Sequence, residues 1–376
     1  MLQWATLRAE THDRRDAITT DRPPQSGSRM GRRRSDSDLI ARLGEMIVDG
    51  PTSACVPELR TMVGRWSSVL VARAARVVVE VEAVELAPDL VAAFVRFLDA
   101  PAKADEGCLA KVALAEAMDA VRFDESAPFL RGISYTQMEW TFEGRITKVI
   151  PGEGMRAEWT SSEKGHMTQV DTAPPLRARC AFALARLGGA EATLAITALL
   201  TDPESEARVG AAKAVAHCGG FDAELLLRLK ANSEDDEVDV TAECLTGLMT
   251  LDPERSTEFV ASFLHSVDED LAQAAALALG EPGASTAFGA LQDYRSQTIL
   301  SPVMEDAVLL AVALTRRDKA VDYLLNVIAQ DTPQNAARAV VAMRIYARGA
   351  SVAERVREAV GKRDTEPVWK AFREHF

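Results

Sequence analysis

Leu176-Arg177-Ala178-Arg179-Cys180-Ala181-Phe182-Ala183-Leu184-Ala185-Arg186-Leu187-Gly188 is followed by a second copy of the same pattern. That copy reads Ala207-Arg208-Val209-Gly210-Ala211-Ala212-Lys213-Ala214-Val215-Ala216-His217-Cys218-Gly219. Arg177 and Arg208 stand 31 positions apart, as do Gly188 and Gly219. Leu176, Cys180, Leu184 and Leu187 make one stripe on a helix. A second helix follows Gly188-Gly189, with Ala192, Ala195, Ile196 and Leu199 on its inner face. A repeat of this length, built from two short helices, cannot bury its apolar face alone and must stack on copies of itself.

The pattern extends in both directions. Val240, Cys244, Leu248 and Leu251 occupy the equivalent slots of a third unit, and Leu271, Ala275, Ala276 and Leu279 those of a fourth. Val303 to Leu314 belongs to a fifth in more than one alignment, and Thr332-Pro333 opens a sixth. Pro367 to Phe376 reads as a terminal cap helix, and Asp202-Pro203 as N-cap and first residue of a repeat helix. Upstream, Asp36-Ser37-Asp38 supplies cap side chains for a helix through Ile47, which Gly50-Pro51 ends. Helices are expected over Val56–Trp66, Val69–Val84, from Pro88, over Cys108–Val121 and around Glu125–Leu130. The expected total is six to eight helical pairs.

Between Gly132 and Asp171 the helical period stops. Met138-Glu139-Trp140-Thr141-Phe142-Glu143 alternates apolar and polar, the period of a strand with one buried face. Gly144 offers a turn, Ile146-Thr147-Lys148-Val149-Ile150 a second strand, Pro151-Gly152-Glu153-Gly154 another turn, and Met155–Trp159 a third strand. Ser161 to Val170 reads as a polar loop leading back. Tyr135, Trp140, Phe142 and Trp159 concentrate aromatic mass in a chain that is only 6 % aromatic, with Arg145 and Arg156 beside them. Aromatic and Arg side chains dominate binding hot spots, so these six residues are the candidate binding residues. The competing reading is that one face of the insertion packs on the flanking helices and seals a break in the stack.

Composition narrows the function. The chain has 376 residues, a net charge of −13 and 47 % apolar residues. Phosphate binding needs concentrated positive charge, which argues against nucleic acid as a partner. Residues 1–36 hold eight Arg and five acids, so the rest carries −16. This basic tail lacks periodicity and is expected to be disordered. Five scattered cysteines suit buried thiols in a reducing compartment. No apolar run approaches a membrane span, and no secretory signal opens the chain, so the expected location is cytoplasmic.

The doubled helix pattern, Leu-Arg-x-x-Cys-Ala-x-Ala-Leu-Ala-x-Leu-Gly, resembles the first helix of bacterial HEAT repeats of the phycobilisome-lyase HEAT-like subtype. The resemblance is closest over 174–280, looser over 281–376 and loosest over 64–133. It implies a right-handed α–α superhelix with a concave surface that holds another macromolecule. Some relatives of this scaffold are enzymes. The di-iron hydroxylase type uses His-Glu pairs on successive repeats, and this chain has none among its five histidines. The DNA-alkylation glycosylase type needs a basic concave face, whereas here Glu234-Asp235-Asp236-Glu237 and Asp268-Glu269-Asp270 line the loops. Gly152-Glu153-Gly154-Met155-Arg156-Ala157 matches a dinucleotide fingerprint in letters but lacks the helix that must follow it.

The expected architecture is therefore an all-α, HEAT-like α–α superhelix with one small β-containing insertion. Its parts are a tail at 1–36, helical repeats at 37–133, the insertion at 134–173 and further repeats at 174–376. The expected function is a non-enzymatic scaffold or adaptor for a protein partner, with no cofactor, no metal, no nucleic acid and no membrane span. The alternative is a lyase-like or other enzyme-accessory protein that handles a small ligand or chromophore.

Overall fold

The computed structural model describes residues 35–143, 166–280 and 285–376. It is an α–α superhelix, with nineteen α-helices among the described residues. The odd-numbered helices form one layer: α1 (Asp36–Asp49), α3 (Ser68–Glu80), α5 (Leu109–Ala120), α7 (Pro174–Leu187), α9 (Ser205–Cys218), α11 (Val238–Leu251), α13 (Glu269–Leu279), α15 (Pro302–Leu314), α17 (Pro333–Ala342) and α19 (Glu366–His375). The even-numbered helices form the other: α2 (Val56–Val63), α4 (Ala87–Asp99), α6 (Ala127–Ile133), α8 (Ala190–Leu199), α10 (Gly220–Ala231), α12 (Pro253–Ser262), α14 (Ala287–Gln297), α16 (Asp318–Gln330) and α18 (Ala350–Arg363). Each odd helix touches the next odd helix along the whole array. The count is nine pairs and a terminal helix, more than the six to eight pairs the sequence predicts, because α1–α6 pack as full repeats despite their irregular sequence.

Small residues allow this stacking. A Cβ on Gly210 of α9 would lie 2.2 Å from Ala178 Cβ and 2.7 Å from Ala178 Cα on α7. The two backbones therefore meet where the second copy of the repeat has Gly in place of Arg179. Paired glycines, Gly188-Gly189 and Gly219-Gly220, close the turns from α7 to α8 and from α9 to α10. Gly188 and Gly219 both sit at φ +73° with ψ near 180°, a conformation essentially reserved for glycine.

Leu176, Cys180 and Leu184 are fully buried, as are Val240, Cys244 and Leu248. Cys218 is exposed, because it falls one position before the closing glycine and outside the inner stripe.

Helix starts follow local chemistry. Ser301, Thr332 and Asp252 each accept a hydrogen bond from the N–H three residues on, and each precedes a proline that needs no N–H donor partner. Such caps contribute about 1 kcal/mol apiece. At α1 the cap is Ser35, in a reciprocal box with Asp38, one residue before the predicted Asp36. Asp202 does not cap α9, whose N-cap is Glu204; its carboxylate is taken by Arg177 and by the Glu204 N–H. No helix of the described residues is long and apolar enough to cross a membrane.

Between α6 and α7 two antiparallel strands form a hairpin, β1 (Met138–Glu143) and β2 (His166–Asp171), with Met138 opposite Asp171 and Phe142 opposite Met167. β2 corrects the expected loop at Ser161–Val170, whose last five residues are strand. Its alternation is carried by Met167, Gln169 and Asp171, which do not read as an apolar face. The predicted strands at 146–150 and 155–159 lie outside the described residues, as does most of the predicted tail.

Candidate functional site

A periodic ion ladder runs along the edge of the array at three successive junctions, where α4, α6 and α8 hand over to α5, α7 and α9. Its unit is an acidic residue at the loop and a cation six positions later. Lys111 Nζ lies 3.1 Å from Asp105 Oδ2 and donates to Gln137 Oε1 at 2.8 Å, 26 positions on. Arg177 donates to Asp171 Oδ2 at 2.6 Å and to Asp202 Oδ1 at 2.7 Å, 25 positions on. Arg208 donates to the Asp202 carbonyl at 2.8 Å and to Asp235 Oδ1 at 2.7 Å, 27 positions on. Each cation thus ties its own repeat to the next. In a helical stack whose apolar contacts run the length of the array, these rungs fix the register between neighbours.

Gln137 and Asp171 both occupy acidic slots of this ladder, and the hairpin is spliced between them. Its two ends are pinned to each other. The Gln137 N–H donates to Asp171 Oδ1 at 3.0 Å, and the Thr172 N–H donates to the Gln137 carbonyl at 2.9 Å. Behind the hairpin α5 touches α7 and α6 touches α8, so the stack runs on as if repeats were consecutive. At Gly132, on α6, an added Cβ would lie 2.4 Å from Cys180 Sγ of α7. Among the described residues the helical layers stay in contact across the point of insertion.

The base of the hairpin is held from both sides. The loop before α5 passes through left-handed conformations at Gly107 and Cys108, with φ +66° and +54°. This turn brings the Asp105 carboxylate back over the start of α5, where it accepts from the N–H groups of Ala110 and Lys111. It also presents the Gly107 N–H to the Glu139 carboxylate of β1, at 2.9 Å. Gln137 Nε2 donates to both the Asp105 carbonyl and Glu139. The Lys111 ammonium sits 5.3 Å from the centre of the Tyr135 ring. Asp105 and Lys111 are wholly buried. On the other side Arg177 also donates to the Tyr135 carbonyl at 3.0 Å.

Electrostatics fit a fastener. Burial works against the Asp171 carboxylate, but the N–H groups of Gln137 and Ala173 and the Arg177 guanidinium outweigh it and hold its pKa below the ordinary value. Burial pushes the Cys108 thiol up to about 11 despite the nearby Lys111 ammonium, so it stays a thiol at neutral pH. Burial likewise raises the Tyr135 phenol. No group of three or more His, Cys, Asp or Glu is placed to hold a metal ion among the described residues.

The six candidate residues separate. Tyr135 is half-buried within the fastener. Trp140 is 63 % exposed, and Met138 and Met167 are 49 % and 55 % exposed. All three share one face of the hairpin with the backbone position of Phe142, given the strand register. This face is open to solvent, contrary to the buried face that alternation predicts. Arg145, Arg156 and Trp159 lie outside the described residues. Arg131 of α6 is engaged with Asp99 at 2.6 Å. Sequence reasoning missed Asp105, Lys111, Gln137, Asp171 and Arg177. Their signal is the six-residue step from acid to cation at 105/111 and 171/177, with 202/208 as its third instance.

No family model matches the chain, and no curated protein matches it. Among solved structures, a crystal structure described as an engineered protein is similar over 90 % of this chain and 93 % of its own, with 17 % sequence identity and a TM-score of 0.31.

Proposed function

We propose that this chain is a non-enzymatic interaction scaffold, a cytoplasmic HEAT-like adaptor that holds a protein partner through its superhelical surface and the inserted hairpin. One observation supports the reading above the rest. A hairpin with Met138, Trp140 and Met167 in solvent is fastened by buried ion pairs to a stack whose helices touch one another behind it. Apolar side chains presented on a rigid mount lose little entropy when a partner covers them. A two-stranded hairpin standing alone is marginal in water, so the fastener also supplies the order that its own strands lack.

The test compares the full chain with its Trp140→Ala and Met167→Ser variants as immobilised bait in lysate of the native host. Both side chains are exposed, so melting temperatures should match the unsubstituted chain. Proteins retained by the unsubstituted chain should be lost from both variants. Equal retention by all three baits, with equal melting temperatures, removes the hairpin from the contact.

A further inference from the structure

The hairpin's apolar face does not stand alone. It opens into a groove of about 390 Å³ lined by Ile133, Met138, Gln169, Val170, Pro203 and Glu204. The groove therefore joins the exposed sheet face to the loop between α8 and α9. Glu204 is exposed there and forms no ion pair among the described residues. Arg177 lines the same groove; its side chain is 4 % exposed, and its Nε has no hydrogen-bond partner among the described residues. Beyond Glu204 the same edge continues with exposed carboxylates at Glu206, Glu234, Asp236, Glu237 and Asp268, none of them in an ion pair among the described residues. The ladder cations Arg177 and Arg208 are consumed by Asp171, Asp202 and Asp235, and Lys230 of α10 is paired with Asp235 as well. The loop around Glu204 thus presents negative charge beside the hairpin's apolar face, uncompensated among the described residues, and the loop at Glu234–Glu237 adds more one repeat further along the edge.

We infer that the groove and sheet face dock a basic segment of a partner protein that carries apolar side chains among its lysines or arginines. This rests on the scaffold reading above and names the chemistry of its partner. Apolar side chains cover Met138 and Trp140, and a cationic side chain meets Glu204. Opposite charge along the adjoining edge speeds encounter and selects against acidic segments. A duplex or single-stranded nucleic acid is repelled by the same carboxylates.

The test is fluorescence anisotropy of the full chain with three labelled synthetic peptides. One alternates valine with lysine, one valine with glutamate, and one serine with lysine. The valine–lysine peptide should bind, lose affinity as salt rises, and weaken about tenfold in both Trp140→Ala and Glu204→Lys. Both positions are exposed, and unchanged melting temperatures confirm intact folding. Trp140-dependent binding of the valine–glutamate peptide at equal affinity overturns the basic-partner inference while leaving the hairpin as a docking face. Binding of the valine–lysine peptide that neither variant weakens, equal binding of the serine–lysine peptide, or no binding at all overturns the inference.

Discussion

Lys111→Met tests the fastener directly. The ammonium and the Asp105 carboxylate are both fully buried, with Nζ and Oδ2 3.1 Å apart, and the ammonium's other contacts are Gln137 Oε1 at 2.8 Å and the Tyr135 ring. Methionine fills nearly the same volume, so packing changes little. The change leaves a buried carboxylate with only the N–H groups of Ala110 and Lys111, and Gln137 Oε1 keeps only the longer hydrogen bond from the Tyr135 hydroxyl, at 3.3 Å. Stranding one member of a buried pair costs about 3–5 kcal/mol. The expected result is a local loss of that order. Repeat arrays can open in part, so the assay is hydrogen exchange resolved by segment rather than one melting curve. Protection should fall in 105–120, 138–143 and 166–171, and hold in α13 to α19. Adding Asp105→Asn removes the stranded charge and should recover about half of the loss. A single variant within about 1 kcal/mol of the parent at these segments, or a double variant no better than the single, would refute the reasoning.

Two further outcomes follow from the same geometry. Gly210→Ala puts a Cβ 2.2 Å from Ala178 Cβ, so α7 and α9 must separate; thermal unfolding should show a loss of about 1–3 kcal/mol, and an unchanged melting temperature contradicts the close approach. Burial opposes the Asp235 carboxylate, yet hydrogen bonds from Arg208 and Lys230 and from the Glu237 N–H bring its pKa from 3.8 down to about 2. A depressed native pKa means that the ionised group favours folding, so its contribution, on the order of 2 kcal/mol, is complete above pH 4 and lost as pH falls toward 2. Acid titration of stability should show this step in the parent and lose much of it in Asp235→Asn, whereas an unaltered profile excludes Asp235 as its source.

Much of the architecture is legible in the chain because a repeat states its rule more than once. The stripe Leu176, Cys180, Leu184 recurs as Val240, Cys244, Leu248, and all six side chains are buried. The early repeats are harder to count. α5 has apolar residues all round, with Ala113, Leu114, Ala115, Ala117 and Met118 buried together, so periodicity carries less information there. β1 is legible from alternation, but which of its faces is covered is not. Alternation reports that two faces differ, while burial depends on what lies opposite, and here the answer is solvent. β2 is not legible in the sequence, because Met167-Thr168-Gln169-Val170 owes its strand to pairing with β1 rather than to an apolar alternation of its own.

The sequence by itself determined the helical layers, the closing glycines and the place where the repeat is interrupted. Each of these follows from side-chain period or backbone permissiveness within a few residues. The tertiary structure decided the rest. Lys111 reaches Gln137 26 positions away, and Arg177 reaches Asp202 across 25. Whether such charges are solvated or locked together depends on helices meeting at a set distance, which no local pattern encodes. That distance turns Asp105, Lys111, Gln137, Asp171 and Arg177 into the mount of a hairpin, and leaves Trp140 facing outward and Met138 beside Glu204.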